Sequence, residues 1–423
     1  MTESNQTVYF GEPKELKRNI ILYFFDGMTF MASFALISIT TVIPFFLETL
    51  QASTFQFALA TAVTTIGMLI GKPFFGAMAS RAKFLSKTFA KILFTQRLTL
   101  LLFVLMMPML ARDAGLMIWV FILFWAIFCL LSGCYMVFNV PLILKLLPPH
   151  KRAGMRGVGQ GIGNIIGLGL AGSIPIIVEN FSYPYNFMIL FGLGLIFLFL
   201  NATGFWLMKE HEDVEPRVSM KLHEYLKAIP VSLKEDGTFR AMVLSCMFML
   251  IGVSLIPFYT LYGIRSFTMG ADQIALLATL AILSAIGVNI SFGFIIDRFG
   301  PVKVSPVAAV CIVTSGLILL ITKELPFFYG AWVLINVAQF CYMKSTNLML
   351  GDVSPSGKTP LYVGVLFMIS MAVSSIVVLG LAPLMELAGF SILFVLVVIC
   401  GGLGLFYNVF VFQRRLKNVL FRN

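Results

Sequence analysis

The chain has 423 residues, of which 59% are hydrophobic and only 12% are charged, and 30 Lys and Arg against 19 Asp and Glu give it a formal charge of +11. A soluble domain carries about 25% charged residues, so this composition excludes a soluble globular protein, and it equally excludes a disordered chain or a coiled coil. A mean hydropathy of +0.96 indicates that most of the surface faces lipid.

Twelve apolar runs, each long enough to cross a bilayer as a helix, follow one another along the chain. Numbered as spans one to twelve, they have the approximate limits 19–47, 55–79, 88–110, 116–146, 157–178, 185–208, 239–263, 273–295, 303–322, 326–349, 361–386 and 389–412. The sequence therefore predicts an all-α integral membrane protein with twelve transmembrane helices.

Lys and Arg are concentrated in the connections that follow even-numbered spans. They are Arg81, Lys83, Lys87, Lys151, Arg152, Arg156, Arg298, Lys303 and Lys358, with Arg414, Arg415, Lys417 and Arg422 after span twelve. The connections after odd-numbered spans carry only Arg112, Arg265 and Lys323. Because basic loops are retained on the cytoplasmic side, we expect a multi-pass protein of the cell membrane with both termini in the cytoplasm.

A long polar interruption after span six divides the chain into two halves. The predicted organisation is a cytoplasmic tail at 1–18, a six-helix bundle at 19–208, a cytoplasmic linker with an amphipathic helix at 209–238, a second six-helix bundle at 239–412 and a cytoplasmic tail at 413–423. Short motifs recur between the halves: CYM at 134–136 returns at 341–343, and IPFF at 43–46 answers IPFY at 256–259. These repeats predict two pseudo-symmetric bundles from a duplicated six-helix unit.

The connection between spans eight and nine reads GFIIDRFGPVK, from Gly293 to Lys303. This resembles the loop signature of the major facilitator superfamily, and it falls where that family has it in a twelve-span duplicated chain. Gly293 permits close helix approach, Gly300 permits a tight reversal, and Asp297 can accept bonds from the amides at a helix N-terminus. With Arg298 and with Arg156 at the start of span five, these residues form a predicted conformational gate. The alternative is a solvated loop.

Three charges lie at membrane depth in the first half, and such charges are functional candidates because burying them is costly. At 1.5 Å per residue, Asp26 lies about 10 Å, Lys72 about 12 Å and Arg97 about 14 Å from the same end of their spans. We expect this group to couple transport to protons through Asp26. The alternatives are a permanent ion pair that locks spans one to three, or a Lys72 side chain that extends to water.

The resemblance implies that spans one, four, seven and ten line a central cavity, and each has polar residues at helical spacing. The candidate substrate-binding residues are Thr29, Ser33, Thr40, Tyr135, Asn139, Tyr259, Asn336 and Gln339. The alternative is that these groups only form hydrogen bonds between neighbouring helices.

These features together predict a secondary active transporter that moves a small organic solute by alternating access, coupled to protons or another ion. Export of amphipathic compounds is preferred over uptake of a sugar-like solute or organic anion. A membrane-embedded enzyme and a non-transporting scaffold are the rivals from other classes. No convergent catalytic cluster supports an enzyme, because the three His lie in loops. We expect no cofactor, no metal and no nucleic acid, and a monomer whose partners are its substrate, the coupling ion and the bilayer.

Overall fold

The computed structural model describes residues 12–211, 230–354 and 359–420. Every regular element in those ranges is helical. Eleven of the helices are long and apolar enough to cross a membrane, and span one, whose helix is interrupted, makes the twelfth crossing. The prediction of an all-α, multi-pass membrane protein with twelve spans is confirmed.

The spans differ from the predicted runs mainly at their edges and in their continuity. In the first half the helices are Pro13–Phe34 with Val42–Thr49 in span one, Thr54–Arg81 in span two, Leu85–Leu110 in span three, Ala114–Ser132 with Cys134–Leu146 in span four, Pro149–Asn180 in span five and Tyr185–Leu207 in span six. In the second half they are Gly237–Ser254 with Ile256–Phe267 in span seven, Ala271–Phe299 in span eight, Pro301–Val304 with Pro306–Ile321 in span nine, Leu325–Val353 in span ten and Thr359–Ala388 in span eleven. Span twelve consists of Ser391–Phe406, the π-helical Tyr407–Phe412 and Gln413–Leu420.

Both predicted tails are partly helical. The segment predicted as a tail at 1–18 is helical from Pro13, and the segment predicted at 413–423 is helical to Leu420. A helix can continue past its apolar run because its backbone hydrogen bonds do not depend on apolar side chains. The amphipathic helix predicted within 209–238 falls largely on 212–229, which lie outside the described residues.

A proline follows the break in span one, and another lies directly after the break in span seven. Pro44 and Pro257 each lie within the first turns of the second helix of their span. A proline lacks the backbone N–H and its ring clashes with the carbonyl four residues earlier. For Pro257 that residue is Val253, beside the helix end at Ser254, whereas the first helix of span one already ends at Phe34. The two prolines belong to the repeated motifs IPFF and IPFY. Each half therefore carries an equivalent hinge in its first span.

The helix contacts repeat between the halves, as a pseudo-two-fold arrangement requires. Span one packs against spans five and six, and span seven packs correspondingly against spans eleven and twelve. Spans two and four pack together as spans eight and ten do, and spans three and six as spans nine and twelve do. The two six-helix bundles meet where span two packs against span eleven and span five against span eight.

Glycines allow some of these helices to approach closely. A Cβ atom added at Gly159 would lie 2.2 Å from the carbonyl oxygen of Phe24, and one at Gly163 would lie 2.3 Å from that of Met28. Span five therefore packs directly on the backbone of span one. Because there are twelve crossings, the first helix begins and the last helix ends on the same face, which we call the terminal face. The opposite face is the distal face.

Candidate functional site

Asp26 lies on the inner side of span one, where only 1% of its surface is exposed. The Tyr135 hydroxyl of span four donates a hydrogen bond to Asp26 Oδ1 at 3.1 Å, and the Asn201 amide of span six donates to the same oxygen at 2.7 Å. Asn201 Nδ2 also lies 3.3 Å from the Asp26 carbonyl oxygen. Two neutral donors from two other spans therefore hold this carboxylate inside the first bundle.

Asn201 links Asp26 to Arg97. Arg97 Nη2 donates to Asn201 Oδ1 at 3.1 Å, Nε donates to the carbonyl of Leu198 at 3.3 Å, and Nη1 donates to the side-chain oxygen of Gln96. Gln96 in turn donates to the Ser132 hydroxyl. Arg97 is as deeply buried as Asp26. The N–H donors of Arg97 are therefore used within the protein. Only the Asn201 side chain separates its positive charge from the Asp26 carboxylate.

A second arginine reaches Asp26 from span five. Arg156 Nη2 donates to the Tyr135 hydroxyl at 3.3 Å, and Nη1 donates to the Tyr23 hydroxyl at 3.4 Å. We call Asp26, Arg97, Tyr135, Arg156 and Asn201 the Asp26 cluster. It contains one carboxylate and two guanidinium groups, and it joins spans one, three, four, five and six.

Lys72 lies apart from the Asp26 cluster, although the sequence places it at a similar depth. Its Nζ lies 3.7 Å from the sulfur of Met371 and 4.8 Å from the centre of the Phe367 ring, both on span eleven. Its backbone is held close to span four, because a Cβ atom at Gly133 would lie 2.8 Å from the Lys72 nitrogen. Lys72 is therefore a cation at the boundary between the two bundles, with no carboxylate partner among the described residues.

The distal ends of spans one and seven are joined by a salt bridge. Arg265 Nη2 lies 3.0 Å from Glu48 Oε2, and Arg265 Nε donates to both oxygens of that carboxylate at 3.0 and 3.1 Å. Closer to the centre, the Thr260 hydroxyl donates to the carbonyl of Thr40 at 2.5 Å. The second helices of the two broken spans therefore close the distal face between the bundles.

A family model described as the Major Facilitator Superfamily matches residues 25–301 of the sequence. The chain belongs to this superfamily. It is therefore a transporter, not an enzyme, and it binds a small-molecule substrate within the membrane. No curated protein matches the sequence.

Several solved transporters of the superfamily share the fold. A mutant of the nucleoside transporter NupG has a TM-score of 0.70 and 12% identity over 94% of this chain and 99% of that one. A bacterial homologue of the iron transporter ferroportin, in its inward-facing state, has a TM-score of 0.67 and 14% identity over 94% and 98%. The human organic anion transporter MFSD10 (TETRAN) has a TM-score of 0.62 and 14% identity over 94% and 99%. At such identities these likenesses concern the fold alone.

Most of the candidate substrate residues make hydrogen bonds within the protein. Ser33 and Asn336 donate to carbonyls of their own helices at 2.7 and 2.8 Å, and the Tyr259 hydroxyl lies 3.0 Å from that of Ser315. The others have mixed surroundings: Thr29 is bonded within its helix, Thr40 lies 2.7 Å from Ser38, Asn139 is buried with an unpartnered Oδ1, and Tyr135 and Gln339 are half-buried. The bonds of Thr29, Ser33 and Asn336 therefore stay within single helices, whereas the bond between Tyr259 and Ser315 joins spans seven and nine.

The signature loop of the superfamily is described only in part. Gly300 ends the span-eight helix with φ +81°, a left-handed conformation that favours glycine. Arg298 is exposed, and its guanidinium lies 5.4 Å from the centre of the Phe299 ring. Gly293 and Asp297 lie outside the residues whose side chains are described. Arg156, the predicted partner of this loop, lies in the Asp26 cluster.

Sequence reasoning missed Asn201 and the salt bridge between Glu48 and Arg265. The rule used for Asp26 could have found Asn201, because it lies six residues before the end of span six at Leu207, or about 9 Å deep. Glu48 and Arg265 carry opposite charges near the distal ends of spans one and seven. That complementarity is the signal from which the pair could have been predicted.

Proposed function

We propose that this transporter couples the movement of a small amphipathic organic anion to protons by alternating access, and that Asp26 carries the proton. The observation that carries the proposal is the burial of Asp26, the only buried Asp or Glu within a membrane span among the described residues. A charge at membrane depth costs free energy, so a carboxyl group there is a natural site for proton uptake and release.

The surroundings of Asp26 support an exchange of protons that is tied to conformational change. Arg156 reaches the carboxylate through the Tyr135 hydroxyl, and it belongs to span five, which packs against span eight of the second bundle. A rocking motion between the bundles acts on span five and can move Arg156 away from Asp26. Withdrawing a positive charge from a buried carboxylate favours its protonated form.

Lys72 and a pair of methionines support the choice of substrate. An unpaired cation between the bundles is offset if the substrate brings an anionic group to it. Met136 and Met343, equivalent residues of the repeated CYM motif, are 50% and 52% exposed on spans four and ten. Flexible thioethers suit an apolar substrate region of variable shape. An amphipathic anion satisfies both features, whereas a neutral sugar-like solute leaves Lys72 without a partner.

The distribution of Lys and Arg supports placing the terminal face in the cytoplasm, with both termini inside the cell membrane. In that orientation the bridge between Glu48 and Arg265 closes the outer side, and the substrate site opens inward. We propose net export by a monomer. Transport measured in right-side-out and inside-out vesicles tests the direction.

Substrate-linked proton exchange tests the proposal without a transport assay. An amphipathic organic anion is first selected by thermal-shift screening of the purified protein. Its binding enthalpy is then measured in two buffers of different ionisation enthalpy, because the difference gives the number of protons taken up or released. We expect a non-zero number for the wild type and for Glu179→Gln, an exposed control in span five, and none for Asp26→Asn. An equal number in Asp26→Asn would contradict the proposal.

A further inference from the structure

A cavity of about 380 Å³ opens at the terminal face of the first bundle, away from the Asp26 cluster. It lies where the start of span one, the start of span three and the end of span six meet. The side chains of Arg18, Lys87 and Lys209 contribute to its wall, and Glu210 is the one carboxylate there. Arg18 and Lys209 are close enough to Lys87 to repel its ammonium group.

The positive charge of this cavity is only partly offset. Glu210 accepts a hydrogen bond from Lys145 Nζ at 2.9 Å and another from the Ser86 backbone N–H at 2.7 Å, so its charge is already paired. Lys87 contacts the Trp206 carbonyl, and its Nζ lies 4.9 Å from the centre of the Trp206 ring. Neither Arg18 nor Lys209 forms an ion pair with another described residue. Two exposed cations thus face one opening.

The side chain of Ser86 is a second, independent indication that the cavity binds a ligand. It lines the cavity in the first turn of the span-three helix, it is fully buried, and its hydroxyl has no hydrogen-bond partner. Leaving a buried hydroxyl unpaired costs about 1 to 3 kcal/mol, so such groups normally have partners. The helix that begins here at Leu85 has no cap from its own N-cap residue, Phe84, although the Ser86 N–H donates to Glu210. Its N-terminal amides and dipole favour an anion.

The rim of the cavity is apolar and exposed. Phe84, Trp206 and Leu207 have 39%, 40% and 42% of their surface exposed at the ends of spans three and six. Aromatic side chains at span ends lie at the level of lipid headgroups, and basic residues there attract anionic lipids. We propose that this cavity binds the phosphate of an anionic phospholipid, whose acyl chains lie along the apolar rim.

This binding has a structural consequence. Spans one, three and six, which meet at the cavity, are the spans that carry Asp26, Arg97 and Asn201. A bound headgroup that contacts Arg18, Lys87 and Lys209 joins the terminal ends of the same three helices. The lipid should therefore stabilise the folded first bundle by mass action.

Thermal unfolding of the purified protein in neutral detergent tests the proposal. The probes are short-chain phosphatidylglycerol, short-chain phosphatidylcholine and inorganic phosphate, titrated separately. We expect phosphatidylglycerol alone to raise the unfolding temperature. The double variant Arg18→Gln/Lys209→Gln removes both free cations. It should raise the half-effective concentration of phosphatidylglycerol ~30-fold, at about 1 kcal/mol for each basic residue. Equal stabilisation by phosphatidylcholine, or by free phosphate, would overturn the proposal.

Two further variants separate binding from folding. Lys14→Gln/Lys17→Gln removes the same charge from exposed positions on the same helix that do not line the cavity, and it should retain the wild-type response. Ser86→Ala should not lower the lipid-free unfolding temperature, because it removes a buried hydroxyl that has no partner, and it should weaken the response to phosphatidylglycerol. A response of Arg18→Gln/Lys209→Gln equal to that of Lys14→Gln/Lys17→Gln would contradict the assignment.

Discussion

Asn201 carries the contact between the carboxylate of Asp26 and the guanidinium of Arg97. Its amide donates to the one and its carbonyl oxygen accepts from the other, so a single neutral side chain connects two buried charges. Hydrogen bonds to charged groups contribute more than neutral ones, and removing one partner leaves the other buried and unsatisfied. The stability of the first bundle therefore depends on this amide.

We expect Asn201→Leu, which keeps the size of the side chain, to destabilise the protein by about 3 kcal/mol. The measurement is thermal unfolding in detergent, with Asn180→Leu as the control. Asn180 is exposed and bonds only to a carbonyl of its own helix. Equal unfolding temperatures for the two variants would show that the hydrogen bonds of Asn201 to Asp26 and Arg97 do not stabilise the protein.

Lys72 has no carboxylate partner among the described residues, whereas the N–H donors of Arg97 are used within the protein. Variants of the two residues should therefore differ in their effect on substrate binding. We expect Lys72→Gln to weaken binding of an anionic substrate ~30-fold, or about 2 kcal/mol, and to affect a neutral analogue of equal size little. Arg97→Gln should weaken both ligands equally, because the donors of Arg97 are used within the protein. Lys91→Gln, exposed on span three, is the control. If Lys72→Gln weakened binding of the anionic substrate and of the neutral analogue equally, Lys72 would not contact an anionic group of the substrate.

At the scale of elements, span two is held against span four by backbone contact. A Cβ atom at Gly71 would lie 2.1 Å from the carbonyl oxygen of Leu130, whereas one at Gly76 on the same helix meets nothing within 4 Å. Since Lys72 is the next residue after Gly71, a shift of this helix also displaces the cation. The close approach therefore positions Lys72 as well as packing the bundle.

Gly71→Ala should lower stability by about 2 kcal/mol, the cost of overpacking against rigid backbone. It should also impair substrate binding. Gly76→Ala is the matched control and should leave both properties unchanged. Unfolding temperature and substrate affinity, measured on both variants, check this expectation; a Gly71→Ala protein as stable as Gly76→Ala would contradict the packing.

Some elements could be predicted from the sequence because the properties that define them are local. Twelve crossings follow from the length of the apolar runs, and the depth of Asp26 and Arg97 follows from the fixed rise of a helix. Depth does not give the direction in which a side chain points across a bundle. Lys72 therefore could not be separated from the Asp26 cluster before the packing of span two was known. Pro257 signalled the break in span seven, whereas the break in span one, which begins after Phe34, was hidden within a continuous apolar run.

At the scale of the whole molecule, the bridge between Glu48 and Arg265 favours the state in which the distal face is closed. Glu48→Gln should shift the equilibrium toward distal opening by about 1 kcal/mol, because the bridge is half-exposed. The assay is labelling of a cysteine introduced at Thr40 by a reagent added from the distal side, and labelling should rise ~5-fold. The charge-reversed pair Glu48→Arg/Arg265→Glu should restore the wild-type rate. Unchanged labelling in Glu48→Gln would show that the bridge does not control opening.

Transport by Asp26→Asn in proteoliposomes separates coupling from substrate movement. With substrate on both sides, the variant should exchange labelled substrate at close to the wild-type rate, because a neutral side chain at this position permits the bundles to rock. With a pH gradient as the only driving force, the wild type should concentrate substrate and the variant should not. Accumulation by Asp26→Asn to the wild-type level would contradict the assignment of proton coupling to Asp26.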